Sequence, residues 1–330
     1  MTRPRVLGVV GTLVWDRIIG TDGASGAVEE WGGIAYALSA LSASLPERWT
    51  IRPILKIGGD LEAEGRQFLR EIPRIDDSGV IAVPEANNRV ELRYESESRR
   101  VENLTGGVLP WEWDELAPLV GACDALYVNF VSGHEMGLDT ATALRSGFAG
   151  PMYADLHSLF LGTDGSGRRH DRSLESWASW FRCFDAVQMN ADELALLGGG
   201  PGDPWARAEG ALGEELGLIL VTRGDHGAGF VAREGLDPNP MSWRSERDPK
   251  RVGRTLSGSV TLTAPPIVGD PTGCGDVWGA TMFARLLHGD DIEAAMRAAN
   301  ELAGLNVQHR GARGLVERFA GSVAQHPKNS

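Results

Sequence analysis

The sequence predicts an α/β protein: a doubly wound, mostly parallel sheet with helices on both faces. Three observations carry this. Strand-length β-branched runs alternate with helix-length blocks along most of the chain, the pattern of a parallel sheet covered by helices. Right-handed crossovers make such a sheet doubly wound. One segment, RVELRYESESRRVENL (89–104), breaks the rule by alternating charge with Val, Leu and Tyr at period two. That spacing describes an antiparallel ribbon with one wet face, set apart from the central strands.

The elements follow in order. RVLGVVGTLVWDRII (5–19) reads as a buried first strand and further extended chain. WGGIAYALSALSASL (31–45) is a helix opened by a glycine pair. RPILKIGGD (52–60) is a strand ending in a glycine turn, EAEGRQFLREI (62–72) a helix, and GVIAVP (79–84) a strand. After the ribbon come a strand at 125–133, a helix at 139–149, a strand at 151–158 and a helix at 172–184. A strand at 186–190 leads into a short helix at 191–199, and LGLILVTRGDHG (216–227) is a strand with a glycine-rich exit. Two long polar, locally basic loops, 161–172 and 234–254, read as solvated, mobile surface or as the rim of an anionic ligand.

Composition narrows the function. The chain has 330 residues, 42% of them hydrophobic and 23% charged, with a formal net charge of -13. That is an ordinary globular composition. The acidic balance argues against nucleic-acid and anionic-membrane partners, which demand a basic face. Cys123, Cys183 and Cys274 are scattered and show no CxxC spacing, so neither a disulfide framework nor a zinc site is expected. MTRPRVLGVVGTLVWD reads as a first strand and not as a signal peptide, and no apolar run is long enough to span a bilayer. A reducing cytoplasm is the expected setting.

The chemistry concentrates in GDPTGCGDVWGATMFARLL (269–287). Gly273, Cys274 and Gly275 precede an apolar-patterned helix. Glycines let successive N–H groups turn into one concavity, and the helix dipole adds positive charge there. Phosphate is the natural occupant. Asp276, in the first turn, is held ionised by the dipole beside that anion site. It could take a proton from a hydroxyl while a phosphoryl group rests on the amides. A helix-capping acid after a tight turn is the plainer alternative. There is no P-loop, no GxGxxG after the first strand, and none of HExxH, GxSxG or HRD.

At these residues the chain resembles the ribokinase (PfkB) family of carbohydrate and nucleoside kinases, whose signature D-T-x-G-A-G-D reads DPTGCGD here. Pro271 stands for the usual threonine and Cys274 for the usual alanine. The resemblance implies that Asp276 is the catalytic base and that the 273–275 amides form the anion hole. It implies a monovalent-cation role, potassium above all, for Asp270 and Thr272. It also implies acceptor contacts from Asp16, Gly32, Gly33 and Asp60, although Asp16 alone also reads as a strand-end turn residue. Ala37 occupies the place where the family often has asparagine. Asn190 and Glu193 of NADE match N-x-x-E, implying organisation of Mg2+ through water, though the pair alone reads as an N-cap with a first-turn acid. Thr222, Gly224 and Gly227 match the phosphate turn, and Asn300 the adenine helix. Asn129 and Asp155 end strands on the same side of the sheet.

The ribokinase-like division implied is a core of 1–11, 31–87 and 106–330, binding ATP and acceptor, with a small β lid from 12–30 and 88–105. The lid excludes water, and in several members two lids pair into a dimer. The expected activity is ATP- and Mg2+-dependent phosphorylation of a hydroxyl on a small sugar-like acceptor. A nucleoside acceptor is the alternative, with Trp15, Trp31 and Tyr36 as either a base slot or core. A non-catalytic sugar- or nucleotide-binding relative is a further alternative, and a dehydrogenase lacks its glycine fingerprint.

Overall fold

The computed structural model describes residues 3–20, 27–94, 100–198, 202–244, 254–262 and 267–323. Residues 21–26 and 95–99 of the expected lid and residues 245–253 of the second basic loop lie outside the described residues. The chain opens with β1 (Arg5–Val10), β2 (Leu13–Ile19), β3 (Ala27–Gly33) and α1 (Ile34–Ser44). It continues through β4 (Trp49–Gly58), α2 (Glu62–Glu71), β5 (Val80–Val83), β6 (Arg89–Tyr94), β7 (Arg100–Thr105) and α3 (Trp113–Val120). Then come β8 (Ala125–Asn129), α4 (Leu138–Gly147), β9 (Met152–Asp155), β10 (Leu161–Thr163), β11 (Arg169–Asp171) and α5 (Trp177–Arg182). β12 (Ala186–Asn190), α6 (Ala191–Ala195), α7 (Pro204–Glu209), β13 (Leu218–Thr222), β14 (Ala228–Arg233) and β15 (Thr255–Val260) follow. The chain closes on α8 (Cys274–His288), α9 (Ile292–Val307) and α10 (Leu315–Val323).

Among the described residues, a 9-stranded sheet runs in the order β15-β14-β13-β12-β9-β8-β1-β4-β5. Strands β13 through β5 are parallel, and β14 and β15 add an antiparallel edge. The apolar runs split by period two between the faces. Leu218 and Leu220 join the layer under α1, α8 and α9, while Ile219 and Val221 join the layer under α4 and α5. Chain order turns round between β1 and β8: β4 and β5 lie on one side of β1, and β8 begins the other. In open α/β sheets a ligand crevice forms outside such a reversal, at the carboxyl ends of the strands. Helix α1 is rich in Ala and Ser because it is buried almost all round, with only Ala43 of its eleven residues left partly exposed.

The ribbon belongs to a separate 4-stranded sheet ordered β3-β2-β6-β7. β6 and β7 pair antiparallel, as their alternation predicts, and β2 joins β6 in parallel. Val14, Ile18, Val90 and Leu92 form its apolar face. β3 runs on to Gly33, so the glycine pair expected to open the helix also ends this strand. Helices α3 and α7 and the edge strands β14 and β15 have no counterpart among the sequence expectations.

The two basic loops need correction. Residues 161–171 form the β10–β11 hairpin, which docks on the second sheet while most of its residues stay exposed. Leu104 donates its N–H to the Gly167 carbonyl (2.8 Å), and Arg169 is almost buried, reaching the Val131 and Ser132 carbonyls at 2.9 and 2.7 Å. In 234–244, Trp243 is buried, and Arg244 donates to Asp185 at 3.1 Å. Period and charge alone do not reveal such docking, because the partner surface is remote in sequence. Among the described residues, no helix is long and apolar enough to cross a membrane.

Gly167 has φ 88°, and a Cβ there would fall 2.5 Å from the Leu104 carbonyl oxygen. Gly167→Ala should therefore cost about 1–2 kcal/mol in backbone strain alone. Hydrogen exchange should quicken across 100–105 while β8 and β9 keep their protection.

Candidate active site

The candidate residues gather where the first turn of α8 meets the carboxyl end of β8. Gly273 precedes the helix with φ 76°, and no side chain caps it. The Cys274 amide turns back to the Pro271 carbonyl (3.1 Å), so of the three expected anion-hole amides this one is already bonded. The N–H groups of Gly273 and Gly275 have no acceptor among the described residues, and a Cβ on Gly275 would meet only open space. The Cys274 side chain faces α9, 3.5 Å from the Ala303 carbonyl, so exchanging alanine for cysteine alters the helix seam and not the open face.

Asp276 stands one residue further into the helix. Asn129, the last residue of β8, donates Nδ2–H to its Oδ1 at 2.7 Å. Asn129 is itself buried, so the carboxylate is aimed by a fixed donor. A second tie runs through Gln188 of β12, whose Nε2 lies 3.1 Å from both the Gly275 carbonyl and Asp155 Oδ2. Burial pushes the Asp155 carboxyl up to about 8, and the field of Asp276 adds to that. Asp155 thus works as a buried strut between strand and helix.

The N-x-x-E segment caps α6. Asn190 Oδ1 accepts from the Glu193 amide (2.9 Å), and Glu193 Oε2 accepts from the Asn190 amide (2.8 Å). Glu193 Oε1 accepts from Asn190 Nδ2 at 2.6 Å and from His157 Nδ1 at 2.5 Å. The plain N-cap reading is realised here, at the carboxyl end of β12. With so many donors already on Glu193, contact with a hydrated metal through water fits better than direct ligation. Among the described residues, no cluster of three or more His, Cys, Asp or Glu could hold a metal by itself.

Thr222 is the cross-strand neighbour of Asn190, so the phosphate turn lies beside the N-x-x-E pair. Gly224 (φ 57°) and Gly227 (φ 84°) shape that turn. Asn300 lies inside the α8–α9 seam: its Oδ1 accepts from Trp278 Nε1 at 2.8 Å, and its Nδ2 is buried without a partner. The helix pattern gave no sign of that orientation.

On the acceptor side, Asp16 of β2 is buried and rests on Gly32, where a Cβ would fall 1.7 Å from its Oδ2. Gly33 turns the chain into α1 with φ 61°. Asp60 is drawn off to the base of the second sheet. It accepts from the Asn87 amide (2.8 Å) and from Arg89 (2.6 Å), and these bonds hold its carboxyl below the usual range. Of the expected base-slot aromatics, Trp31 and Tyr36 are core, and only Trp15 keeps a partly exposed face.

Asp270 Oδ1 accepts from Tyr94 Oη (3.0 Å) and from the Thr272 amide (2.9 Å), so β6 touches the glycine loop directly. Asp270 Oδ2 and Asn306 Oδ1 are buried acceptors without a hydrogen-bond donor, and Arg310 Nε stands 3.6 Å from the former. Asn306 also donates to the Thr272 carbonyl at 2.8 Å.

A family model described as pfkB family carbohydrate kinase matches residues 53–318. The chain belongs to this family. No curated protein matches it in sequence. Among solved structures it is similar to a ribokinase from Thermotoga maritima, at 17% identity and TM-score 0.71, covering 97% of this chain and 99% of that one. It is similar to a Burkholderia thailandensis nucleoside kinase in complex with inosine: 17% identity, TM-score 0.67, 98% and 100% coverage. It is also similar to a pyrophosphate-dependent ribokinase-family kinase complexed with a pyrophosphate analogue and myo-inositol: 16% identity, TM-score 0.69, 96% and 99% coverage. The ribokinase-like fold of this family member is thereby established. His157, Gln188 and Tyr94 had escaped the sequence reading. For the first two, polar residues at the carboxyl ends of strands were the available signal.

Burial opposes charge on His157, but the Glu193 carboxylate outweighs it and raises the imidazole to about 9 from its ordinary 6.5. A raised folded value stabilises fully below the unfolded value and fades as pH climbs past the folded one. The Tm deficit of His157→Gln should be largest near about pH 6 and close by about pH 10. A deficit that is flat with pH would refute the ion pair.

Proposed function

We propose that the protein transfers the γ-phosphoryl group of ATP to a hydroxyl of a small sugar-like acceptor. The observation that carries this is the Asp276 carboxylate, aimed by Asn129 and one residue from the open Gly275 amide. A base and an anion site thus share one helix end at the mouth of the sheet crevice. Asp276 takes the proton of the attacking hydroxyl, and the helix-end amides meet charge on the transferring group. Asn190 and Glu193 hold the hydration shell of the nucleotide's Mg2+, which supplies charge neutralisation on the phosphates. Thr222 and the Gly224–Gly227 turn flank the phosphates, and Asp16 takes acceptor hydroxyls. The second sheet acts as the lid that keeps water from competing as acceptor. A polyol is favoured over a nucleoside because, of the three aromatics that could have walled a base, Trp31 is core and the Tyr36 ring is packed under Gly273.

The test is a panel of d-ribose, d-fructose, myo-inositol and inosine with ATP or pyrophosphate as donor, run with Mg2+. A general base contributes about 10²–10⁴-fold, so Asp276→Asn should lose turnover by at least the lower figure while Tm and ATP binding persist. Unchanged turnover removes this reading.

Asp270 Oδ2, with Arg310 Nε no nearer than 3.6 Å, and Asn306 Oδ1 are buried without a hydrogen-bond donor, which supports a monovalent cation beside the glycine loop. Turnover should rise on replacing tetramethylammonium by K+, and Asp270→Asn should abolish that response.

A further inference from the structure

Tyr36 occupies the first turn of α1, between the two halves of the site. Its ring lies flat beneath Gly273: a Cβ there would fall 2.3, 2.4 and 2.6 Å from Cγ, Cδ1 and Cδ2 of the tyrosine. Four residues earlier, Gly32 carries the Asp16 carboxylate. The side chain is almost completely buried, yet no described residue makes a hydrogen bond to its hydroxyl. That hydroxyl is also absent from the fully enclosed polar atoms without a partner, so it reaches accessible space. Phenylalanine would pack equally well under Gly273. A hydroxyl at the edge of accessible space can donate to a ligand as readily as to water, which phenylalanine cannot do.

Its surroundings indicate that use. Burial raises the Tyr36 phenol far above its ordinary value, and Asp16, Asp270 and Asp276 each add to the effect. The fields of three carboxylates therefore act on one phenol, which stays protonated and donates. Carboxylates can only accept, so a group able to accept from Tyr36 and donate to Asp16 complements the pair. Adjacent hydroxyls of a polyol do both. Ala37, next in the chain, offers no polar atom.

Building on the phosphotransfer reading above, we propose that the Tyr36 hydroxyl is an acceptor-binding group. It donates to the hydroxyl adjacent to the one being phosphorylated, and together with Asp16 it selects vicinal diols. The ring of the same residue supports the anion loop, so one side chain links acceptor recognition to the phosphate site.

Tyr36→Phe keeps the ring and removes only the oxygen. Acceptor KM should rise about 3- to 10-fold, the worth of one hydrogen bond, while donor KM and Tm stay put. An acceptor lacking the adjacent hydroxyl should lose as much with the wild type and nothing further with the variant, the signature of a direct pair. Equal acceptor KM in both proteins, or a rise in donor KM together with a fall in Tm, would overturn the proposal. If the wild type transfers phosphate to no acceptor, the kinase reading fails on its own. Tyr36 is then judged by the rise in Tm that the same polyols induce: lost in Tyr36→Phe, it supports the proposal; kept, or absent from the wild type, it overturns it.

Discussion

The uncapped first turn of α8 is the constraint on which the rest depends. A helix end leaves amides unsatisfied, and most helices cover them with a side chain. Here no side chain caps the helix, and the Gly275 amide has no acceptor among the described residues. Such an end persists only if the helix is held from elsewhere. Its remaining length supplies the hold: Val277, Trp278, Met282, Phe283 and Leu286 are buried between the sheet and the neighbouring helices. Rigidity comes from the apolar stripe and chemistry from the bare end.

Around that end the polar network is graded by burial. Asn129, Gln188 and Asp155 are buried and tie strand ends to the helix. His157 is the half-exposed member, and it holds Glu193 in place. Buried polar groups that are satisfied by one another fix geometry, since any departure strands a donor or an acceptor in low dielectric. The carboxylates Asp16, Asp155, Asp270 and Asp276 would repel one another in an empty cleft. Burial, reinforced by the field of Asp276, is the reason Asp155 holds its proton.

The second sheet is tied to the core at several points that are far apart in sequence. Arg89 meets Asp60, Tyr94 meets Asp270, and Leu104 meets Gly167. Two of these partners carry a different expectation from the sequence, Asp60 as an acceptor contact and 161–172 as mobile surface or a ligand rim. In both cases the local pattern was correct as far as it went: a turn aspartate, a polar glycine-rich loop. A surface loop and a docked hairpin have the same composition, because both keep their backbone groups wet or paired at an edge.

The sequence by itself determined the strand–helix alternation, the separate ribbon, and the glycine-acid loop at the head of α8. These signals are local: side-chain period follows backbone geometry, and glycine marks the positions where the chain must turn or approach closely. Tertiary structure alone decided which groups around that loop are free and which are engaged. It turned Asn300 toward Trp278, bonded the Cys274 amide to Pro271, enlisted His157 for Glu193, and set Tyr36 beneath Gly273 with its hydroxyl unclaimed. A hydrogen bond depends on the partner that arrives from across the fold, and no property of the residue's own neighbourhood in sequence encodes it.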